Sequence, residues 1–581
     1  MRRKDRSVSP SKNASTERES IGRLRARPSA DVLIIGGGIN GIATFRDLAL
    51  QGVDVALVER GDFVSGASSA SSHMVHGGIR YLENGEFRLV QEAVTERNDL
   101  LRTAPHYVRP LETTIPIFKT FSGIITAPFR LLVTHGRGKP NERGAFLIKI
   151  GLLIYDTFSR GGGMVPRHQF RGRKTSLEDF PQMNKGLRYT ATYYDASMHD
   201  PERLALDVLR DGEEIGGEAA RAANYASAVG FSDGAVTIRD EVSGEEFTFR
   251  PRVVVNTSGP WTDLTNDALG MPTRFMGGTK GSHVVLDNPE LLAATKGREI
   301  FFEHSDGRIV LIYPLKGRVL VGTTDIDADP SKPVVTTDDE IEYFFDLVRH
   351  VFPTIDVNRE QIVYTFSGIR PLPRHDDTAP GFVSRDYRIV EDLLGTTPVL
   401  SLVGGKWTTF RALSEHLATR TMEVLGERHA YSTQGLKIGG GRDYPLTAGE
   451  RQKWIAHNAN GHDLGVVSRL LDRYGTRATQ ILAVVPVGAE ELAAVPGYYA
   501  EELAHLAADE KVVHLLDVLL RRTSLAFVGG LTDATLEAVA KAIAPSLGWD
   551  AAKTKDEVAA AKDALRVAHR ISVEAGSPTL A

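Results

Sequence analysis

The sequence contains no cysteine among its 581 residues. This absence excludes disulfide bonds, thiolate nucleophiles and cysteine-ligated iron–sulfur clusters. No apolar run reaches the roughly 18 residues that a membrane-spanning helix needs. The N-terminal stretch is charged and serine-rich and lacks the apolar segment of a signal peptide, so we expect a disordered tail over residues 1–29.

An excess of basic charge is also missing, because the formal net charge is -5. This balance argues against a broad nucleic-acid-binding surface, and we expect no nucleic-acid partner. The apolar, charged and aromatic fractions are those of a globular protein. The length predicts two or three domains with ample core.

The most informative stretch is residues 31–59, which read DVLIIGGGINGIATFRDLALQGVDVALVE. A short apolar run precedes Gly36, Gly38 and Gly41, which have G-x-G-x-x-G spacing, and a helical segment and a second apolar strand follow. Such glycines let the backbone approach a pyrophosphate, whose charge a helix N-terminus stabilises. Glu59 closes the second strand, where an acid accepts hydrogen bonds from a ribose. The unit predicts dinucleotide binding; the alternative is a glycine-rich turn in an ordinary α/β domain.

The loop after this unit, residues 61–82, is rich in glycine and serine. Its hydroxyls and backbone N–H groups suit contacts to phosphate and to ring edges, so we expect it to lie along a cofactor. The alternative is a mobile surface loop.

Part of that loop, SSASSHMVHGGIRYLENGEF at residues 68–87, resembles the signature loop of the aerobic, membrane-associated, FAD-dependent glycerol-3-phosphate dehydrogenases. Further family-like stretches follow in the expected order, and the resemblance covers residues 31 to about 565. These stretches are VVVNTSGPW at 253–261, KGSH at 280–283, VGTTD at 321–325, SGIRPL at 367–372 and VGGKWTTFR at 403–411.

The resemblance implies an α/β fold with a Rossmann-like FAD-binding domain of the glutathione-reductase and D-amino-acid-oxidase type, a β-sheet substrate domain and a C-terminal all-α domain. We expect the FAD-binding domain at approximately 30–110, 190–265 and 365–440. A substrate and membrane-facing domain would be interleaved with it at 111–189 and 266–364. Amphipathic helical patterns without glycine motifs predict the helical domain at 445–575.

The activity implied is oxidation of sn-glycerol 3-phosphate to dihydroxyacetone phosphate, with hydride transfer to N5 of non-covalently bound FAD and electrons passed to a quinone. Arg80, Arg370 and Lys406 are the basic residues inside the family motifs, and we expect them to bind the substrate, with Tyr81 closing the pocket. Lys406 is also a catalytic candidate. His283 and Arg370 are the alternative candidates for receiving the C2 hydroxyl proton.

The residues expected to contact FAD lie in the glycine turn, the serine-rich loop and the turns at Ser258 and Gly404. They are Gly36, Gly38, Ile39, Asn40, Gly41, Glu59, Arg60, Ser68, Ser71, Ser72, His76, Gly77, Gly78, Ser258, Gly259, Gly404, Gly405, Lys406 and Thr408. We also expect a helix from Trp407 onward, whose N-terminus would face the pyrimidine edge of the flavin.

Two positions depart from the family pattern, since His73 stands where lysine is common and Ala67 where threonine is common. A neutral imidazole beside the flavin would alter its potential or its electron acceptor. We expect no metal site: the calcium-like run that starts at Asp325 fails at Pro330 and Thr336, and His73 and His76 lack supporting ligands.

Residues 146–158, FLIKIGLLIYDTF, are unusually apolar around Lys149. They predict either an interfacial helix or a helix buried in the core. The resemblance favours the first, with the protein cytoplasmic and peripheral on the inner face of the cytoplasmic membrane. Rival functions are an oxygen-using glycerol-3-phosphate oxidase, an amine or amino-acid oxidase of the same fold, and a non-catalytic FAD-binding scaffold. The sequence leaves the oligomeric state open, a homodimer included.

Overall fold

The structure is a computed structural model that describes residues 17–78, 87–119, 148–149, 152, 156, 165–304, 308–374 and 386–573. Its strands are β1 Ser29–Ile35, β2 Val55–Val58, β3 Met74–Val75, β4 Val108–Ile117, β5 Gln169–Gly172, β6 Tyr189–Met198, β7 Ala220–Ala223, β8 Ala226–Ser232, β9 Ala235–Asp240, β10 Glu246–Asn256, β11 Met276–Leu286, β12 Glu299–Glu303, β13 Ile309–Leu315, β14 Arg318–Gly322, β15 Ile326–Asp327, β16 Ile362–Pro373, β17 Arg388–Leu394 and β18 Thr397–Val403.

Its helices are α1 Glu19–Ala26, α2 Ile39–Leu50, α3 Phe87–Thr103, α4 Arg173–Asp179, α5 Pro201–Gly216, α6 Thr262–Ala268, α7 Pro289–Thr295, α8 Asp338–Val351, α9 Phe410–Leu425, α10 Ala448–Asn458, α11 Leu464–Tyr474, α12 Ala478–Val484, α13 Ala500–Asp509, α14 Leu515–Asp517, α15 Leu525–Val528, α16 Asp533–Leu547 and α17 Ala551–His569. No helix in this described part of the chain is both long and apolar enough to cross a membrane.

The first sheet is built around β1. Its path is β17-β18-β10-β1-β2-β7, and β1 pairs in parallel with both β10 and β2. Val32 and Ile34 pack into one hydrophobic cluster and Leu33 and Ile35 into another, so the strand is buried on both faces. A continuous apolar run is what a parallel strand covered on two sides requires.

The parallel strands place their carboxyl ends at one edge of this sheet. β1, β2, β10 and β18 run in the same direction, so the turns that follow them meet there. Ligands of open α/β sheets bind at this edge. The turns that meet begin at Gly36, Glu59, Thr257 and Gly404.

The second sheet has the path β15-β11-β14-β13-β12-β4-β6-β3, with β16 paired to β11 and β5 to β6. Helix α8 buries Ile341, Phe344 and Val348 in the core beneath this sheet. It begins at a capping box in which Thr337 and Glu340 satisfy each other's backbone N–H groups. The helical spacing of Ile341, Phe344, Phe345 and Val348 predicts an amphipathic helix over residues 338–352, and the structure confirms it.

The segment from α10 to α17 forms a helical domain with a core of its own. Thr532 caps α16 by accepting a hydrogen bond from the Thr535 N–H, as its place before an apolar helical pattern predicts. The helical C-terminal domain is confirmed.

The predicted tail is wrong in its second half. Residues 1–16 lie outside the described residues, but α1 is helical and β1 already begins at Ser29. Ile21 and Leu24 are fully buried against the first sheet, and Arg18 forms an ion pair with Asp240 at 2.6 Å. Two apolar residues in a charged segment were enough to anchor it.

Domain boundaries, one helix start and one helix cap also differ from prediction. β6 and most of β16 belong to the second sheet, although residues 190–265 and 365–440 were expected in the FAD-binding domain. Helix α9 begins at Phe410, not at Trp407. Asp200, which stands before Pro201, is predicted to cap α5. It occupies the cap position, but its side chain accepts hydrogen bonds from Lys316 and Ser524 and not from the helix.

Candidate active site

The turn between β1 and α2 requires glycine at two positions because backbone passes close to backbone. Gly36 has a φ of 111°, in the left-handed region. A Cβ on Gly41 would lie 2.0 Å from the Gly36 carbonyl oxygen and 2.5 Å from Thr257 Oγ1. Thr257 Oγ1 itself donates to that carbonyl at 3.0 Å. The close approach fixes the start of α2 at the sheet edge.

The N-terminus of α2 offers backbone N–H groups to an anion. Its cap residue is Gly38, which has no side chain to bond the first turn. The Ser68 hydroxyl from the serine-rich loop accepts a hydrogen bond from the Ile39 N–H at 3.0 Å. A pyrophosphate is the ligand that such an end, combined with the helix dipole, stabilises best.

Glu59 is held rigidly at the end of β2. Its carboxylate accepts hydrogen bonds from the Gly37 N–H at 2.7 Å and from the Gly61 N–H at 2.9 Å. Burial raises the pKa of Glu59, and the hydrogen bonds from Gly61 and Gly37 oppose that rise. An acid fixed beside the glycine turn is the group that binds ribose hydroxyls in this fold.

The turn after β18 meets the start of α2 and the serine-rich loop. Gly405 has a φ of 118°, and a Cβ there would lie 2.7 Å from Asn40 Nδ2. Trp407 Nε1 donates to the Ser68 carbonyl at 2.8 Å. The buried Asn40 Oδ1 has no hydrogen-bond partner among the described residues. This unpaired oxygen, with the helix end and Glu59, fits a dinucleotide such as FAD.

The second sheet supplies a buried imidazole on the other side of the same loop. His283 Nε2 lies 2.9 Å from Ser72 Oγ, and the ring stacks on Phe366 with centroids 4.6 Å apart. Nδ1 is buried and has no hydrogen-bond partner in the described part of the chain. A Cβ on Gly322 would lie 2.2 Å from His283 Cδ2, so glycine makes the space for the ring.

The protonation state of His283 follows from its surroundings. Burial, the nearby charge of Arg370 and the neighbouring His73 lower the pKa of His283 well below its ordinary value. The ring is therefore neutral near pH 7 and can accept a proton.

Arg370 lies on β16, which pairs with the strand that carries His283. Its guanidinium donates to Thr323 Oγ1 at 3.1 Å, to the Thr324 carbonyl at 3.0 Å and to Asp325 Oδ1 at 2.8 Å. A Cβ on Gly281 would lie 2.4 Å from one guanidinium nitrogen. The motifs KGSH, VGTTD and SGIRPL therefore build one site, in which a cation is fixed beside a neutral base.

A buried carboxylate supports this arrangement from below. Glu340 accepts hydrogen bonds from Lys280 Nζ and Ser282 Oγ, each at 2.8 Å, and from Thr324 Oγ1 at 2.7 Å. Lys280 of the KGSH motif is thereby structural. Glu340 was missed in the sequence, although its capping-box spacing after Thr337 marked it as a helix start.

Three more of the predicted cofactor residues, Arg60, Ser258 and Gly259, lie at the same sheet edge. The guanidinium carbon of Arg60 lies 4.7 Å from the centroid of the Trp261 ring. Trp261 belongs to the turn that carries Ser258 and Gly259. The Ser71 hydroxyl accepts from the His73 N–H at 3.3 Å.

The other predicted residues lie in the turn before α9 and in the segment after β3. Thr408 is buried in the turn that precedes α9. Lys406, in the same turn, is close enough to lower the pKa of Glu92, whose burial raises it. His76, Gly77 and Gly78 follow β3 in the second sheet, where the Gly77 N–H donates to Asp195 at 2.9 Å.

Two predicted substrate-binding residues, Arg80 and Tyr81, lie outside the described residues. His73, the departure from the family pattern, is buried, and burial lowers its pKa to about 4. The imidazole at this position is therefore neutral, as expected. Thr257, which bonds the Gly36 carbonyl, and Trp407, which bonds the Ser68 carbonyl, were missed as residues that hold the turns together, although both stand inside motifs quoted from the sequence.

Comparison with known proteins agrees with this geometry. Residues 31–411 match the family described as FAD dependent oxidoreductase, and residues 431–554 match the family described as the C-terminal domain of alpha-glycerophosphate oxidase. A glycerol-3-phosphate dehydrogenase from Synechocystis is 34% identical over 89% of this chain and 93% of its own length. The D-erythritol 1-phosphate dehydrogenase of Brucella abortus is 32% identical over 85% and 94%.

A solved structure shows the same fold. The glycerol-3-phosphate dehydrogenase from Bacillus halodurans, crystallised with FAD, superposes with a TM-score of 0.72 at 23% identity, over 95% of this chain and 97% of its own. FAD is the cofactor that the matched family names, and the sheet edge described above has the groups to hold it. The chain belongs to the FAD-dependent glycerol-3-phosphate dehydrogenase family.

Proposed function

We propose that this protein oxidises sn-glycerol 3-phosphate to dihydroxyacetone phosphate. The observation that carries the proposal is the fixed Arg370 guanidinium near the neutral His283, whose ring bonds Ser72 of the loop that reaches the cofactor edge. FAD held at the sheet edge would supply the two-electron acceptor for the C2 hydrogen. The chain itself must bind a phosphate dianion, orient C2 and receive one proton.

The substrate requires positive charge, and Arg370 supplies it in a fixed position. Its hydrogen bonds to Thr324 and Asp325 hold the guanidinium plane, so little ordering remains to be done when an anion binds. A cation placed there also stabilises a developing alkoxide at C2. Lys406 and Arg80 are proposed to complete the anion site.

His283 is proposed as the proton acceptor. Its unprotonated ring and its partnerless Nδ1 fit a base better than the permanently charged Arg370 does. Of the two candidates that the sequence offers, we therefore propose that His283 takes the proton and that Arg370 stabilises negative charge.

Replacing His283 with asparagine is expected to slow flavin reduction by about 100-fold or more, the usual contribution of a general base. At saturating substrate, the parent enzyme should reduce its flavin at a constant rate from pH 8 down to pH 6, because the pKa of His283 is lowered and its neutral form persists. Rapid mixing across this pH range checks both. A His462→Asn variant in the helical domain is the control. A fall in the parent's rate near pH 6.5 that is missing in His283→Asn would contradict this, because it would show that His283 titrates as an ordinary, unburied imidazole.

The proposed activity is tested by mixing the purified protein anaerobically with glycerol 3-phosphate and following flavin absorbance near 450 nm, about where oxidised flavins absorb. Bleaching is expected within one turnover. D-erythritol 1-phosphate, named for the Brucella relative, is the competing substrate of the same chemical class. Faster bleaching by it, or bleaching only by amines or amino acids, would reject glycerol 3-phosphate as the substrate.

The electron acceptor is proposed to be a membrane quinone, with the protein bound to the inner face of the cytoplasmic membrane. Most of the apolar stretch 146–158 lies outside the described residues, but Leu152 is buried against Val90 and Val94 of α3. A membrane contact would therefore use other side chains of that stretch.

The acceptor is identified in the same experiment by re-oxidising the reduced enzyme. A short-chain ubiquinone should re-oxidise it faster than air-saturated buffer does, and the protein should float with anionic liposomes. Faster re-oxidation by oxygen without flotation would favour the oxidase alternative.

A further inference from the structure

A fully buried carboxylate joins the cofactor half of the molecule to the helical domain. Asp62 accepts hydrogen bonds from Arg521 Nε and Arg522 Nη1, from Arg522 Nη2 at 2.9 Å and from Asn224 Nδ2 at 2.9 Å. The Asp62 and Arg522 side chains have no exposed surface, and that of Arg521 is 8% exposed. The charges of Arg522 and Arg521 overcome burial and hold the pKa of Asp62 below its ordinary value.

Asp62 sits inside the loop that positions Glu59. On one side the Gly61 N–H donates to the Glu59 carboxylate at 2.9 Å. On the other side the Val64 N–H donates to the Gly37 carbonyl at 2.9 Å. Any movement of Asp62 therefore displaces both the ribose-binding acid and the glycine turn of the pyrophosphate site.

The two arginines reach one carboxylate because the backbone around them is a π-helical turn, Val518–Arg522. π-Helical turns are rare in proteins, and those that do occur often lie at functional sites. Arg521 also donates to Asp517 at 2.7 Å, and Arg522 donates to the Glu510 carbonyl at 2.7 Å. Both side chains are thus anchored in the helical domain, and they are rigid where they meet Asp62.

We propose that Arg521 and Arg522 are positioning residues for FAD, and that the helical domain thereby forms part of the cofactor site at its adenosine end. A buried carboxylate that loses one of its two cations must regain water. The loop at residues 59–64 would have to open for this, and Glu59 and Gly37 would leave their binding positions. The proposal does not depend on the substrate or on the electron acceptor.

The test is the dissociation constant of FAD from apoprotein, measured by the change in flavin fluorescence. Arg522→Met is expected to raise this constant at least tenfold, and Arg521→Met to raise it less because Arg522 keeps two bonds to Asp62. ADP carries the adenosine and pyrophosphate of FAD, so its inhibition constant in competition with FAD should rise by the same factor. The reduction potential of flavin that is bound should stay as in the parent.

Arg477→Met is the matched control. Arg477 also joins the helical domain to the rest, through Asp207 at 2.7 Å and Asp211 at 3.0 Å on α5, and it bonds nothing in the 59–64 loop among the described residues. It should lower the melting temperature comparably and leave the FAD constant within twofold of the parent.

Equal loss of FAD affinity in Arg477→Met and Arg522→Met would overturn the proposal, since domain docking in general would then be responsible. Should Arg522→Met fail to fold, Arg522→Lys keeps the charge and loses the fork, and it is expected to weaken FAD binding three- to tenfold. An unchanged constant in folded Arg522→Lys and Arg521→Met would equally overturn it.

Discussion

Replacing Arg370 with methionine is expected to slow flavin reduction by glycerol 3-phosphate about a thousandfold, with FAD still bound. The guanidinium is fixed by Thr323, Thr324 and Asp325, and methionine keeps an apolar stem but has neither the guanidinium nor its charge. Loss of a preorganised cation removes an interaction that strengthens as the C2 oxygen gains negative charge. The substrate phosphate is also expected to bind this cation, so KM should rise as kcat falls.

Single-turnover mixing under anaerobic conditions measures this rate without interference from the acceptor. Arg318→Met is the matched control: Arg318 lies on β14 of the same sheet and pairs with Asp287 at 3.0 Å, away from His283 and Arg370. The control should reduce its flavin at the parent rate. A rate for Arg370→Met within tenfold of the parent would place the substrate phosphate and the C2 oxygen on other cations.

The cofactor half of the site could be predicted because its signals are local. The apolar run of β1, the glycine spacing and Glu59 lie within 29 residues and specify one strand–turn–helix–strand unit. The turn at Gly404 and Gly405 is local in the same sense. Resemblance then supplied the flavin, and the matched families confirm it.

The substrate half could not be worked out in this way. The partners of Arg370 stand 45 to 47 residues before it in the chain. The link between the cofactor half and the helical domain is no more local, because Arg521 and Arg522 stand 459 and 460 residues after Asp62. Sheet pairing and domain docking bring these groups together, and no periodicity in a single sequence encodes them. The disordered tail was predicted wrongly at α1 for the same reason. Ile21 and Leu24 pack against a sheet whose strands come later in the chain, and the local composition does not indicate this contact.

Replacing Gly41 with alanine is expected to raise the dissociation constant of FAD by at least about 100-fold, so that the protein purifies without flavin. The new Cβ would lie 2.0 Å from the Gly36 carbonyl oxygen and 2.5 Å from Thr257 Oγ1. Both neighbours are held in place, because Gly36 receives the Thr257 hydroxyl bond and its own N–H donates to the Val58 carbonyl at 2.9 Å. Neither can retreat, so α2 must move away from β1.

The N-terminus of α2 is the proposed pyrophosphate site, so such a displacement would weaken FAD binding directly as well as loosen the fold. Gly449→Ala provides the control, because a Cβ there meets nothing within 4 Å. Absorbance of the purified proteins at about 450 nm relative to that at 280 nm measures flavin content, and fluorescence titration gives the constant. Full flavin content in Gly41→Ala would contradict this prediction. It would mean that α2 and β1 can separate without cost, despite the buried contact between Gly36, Gly41 and Thr257.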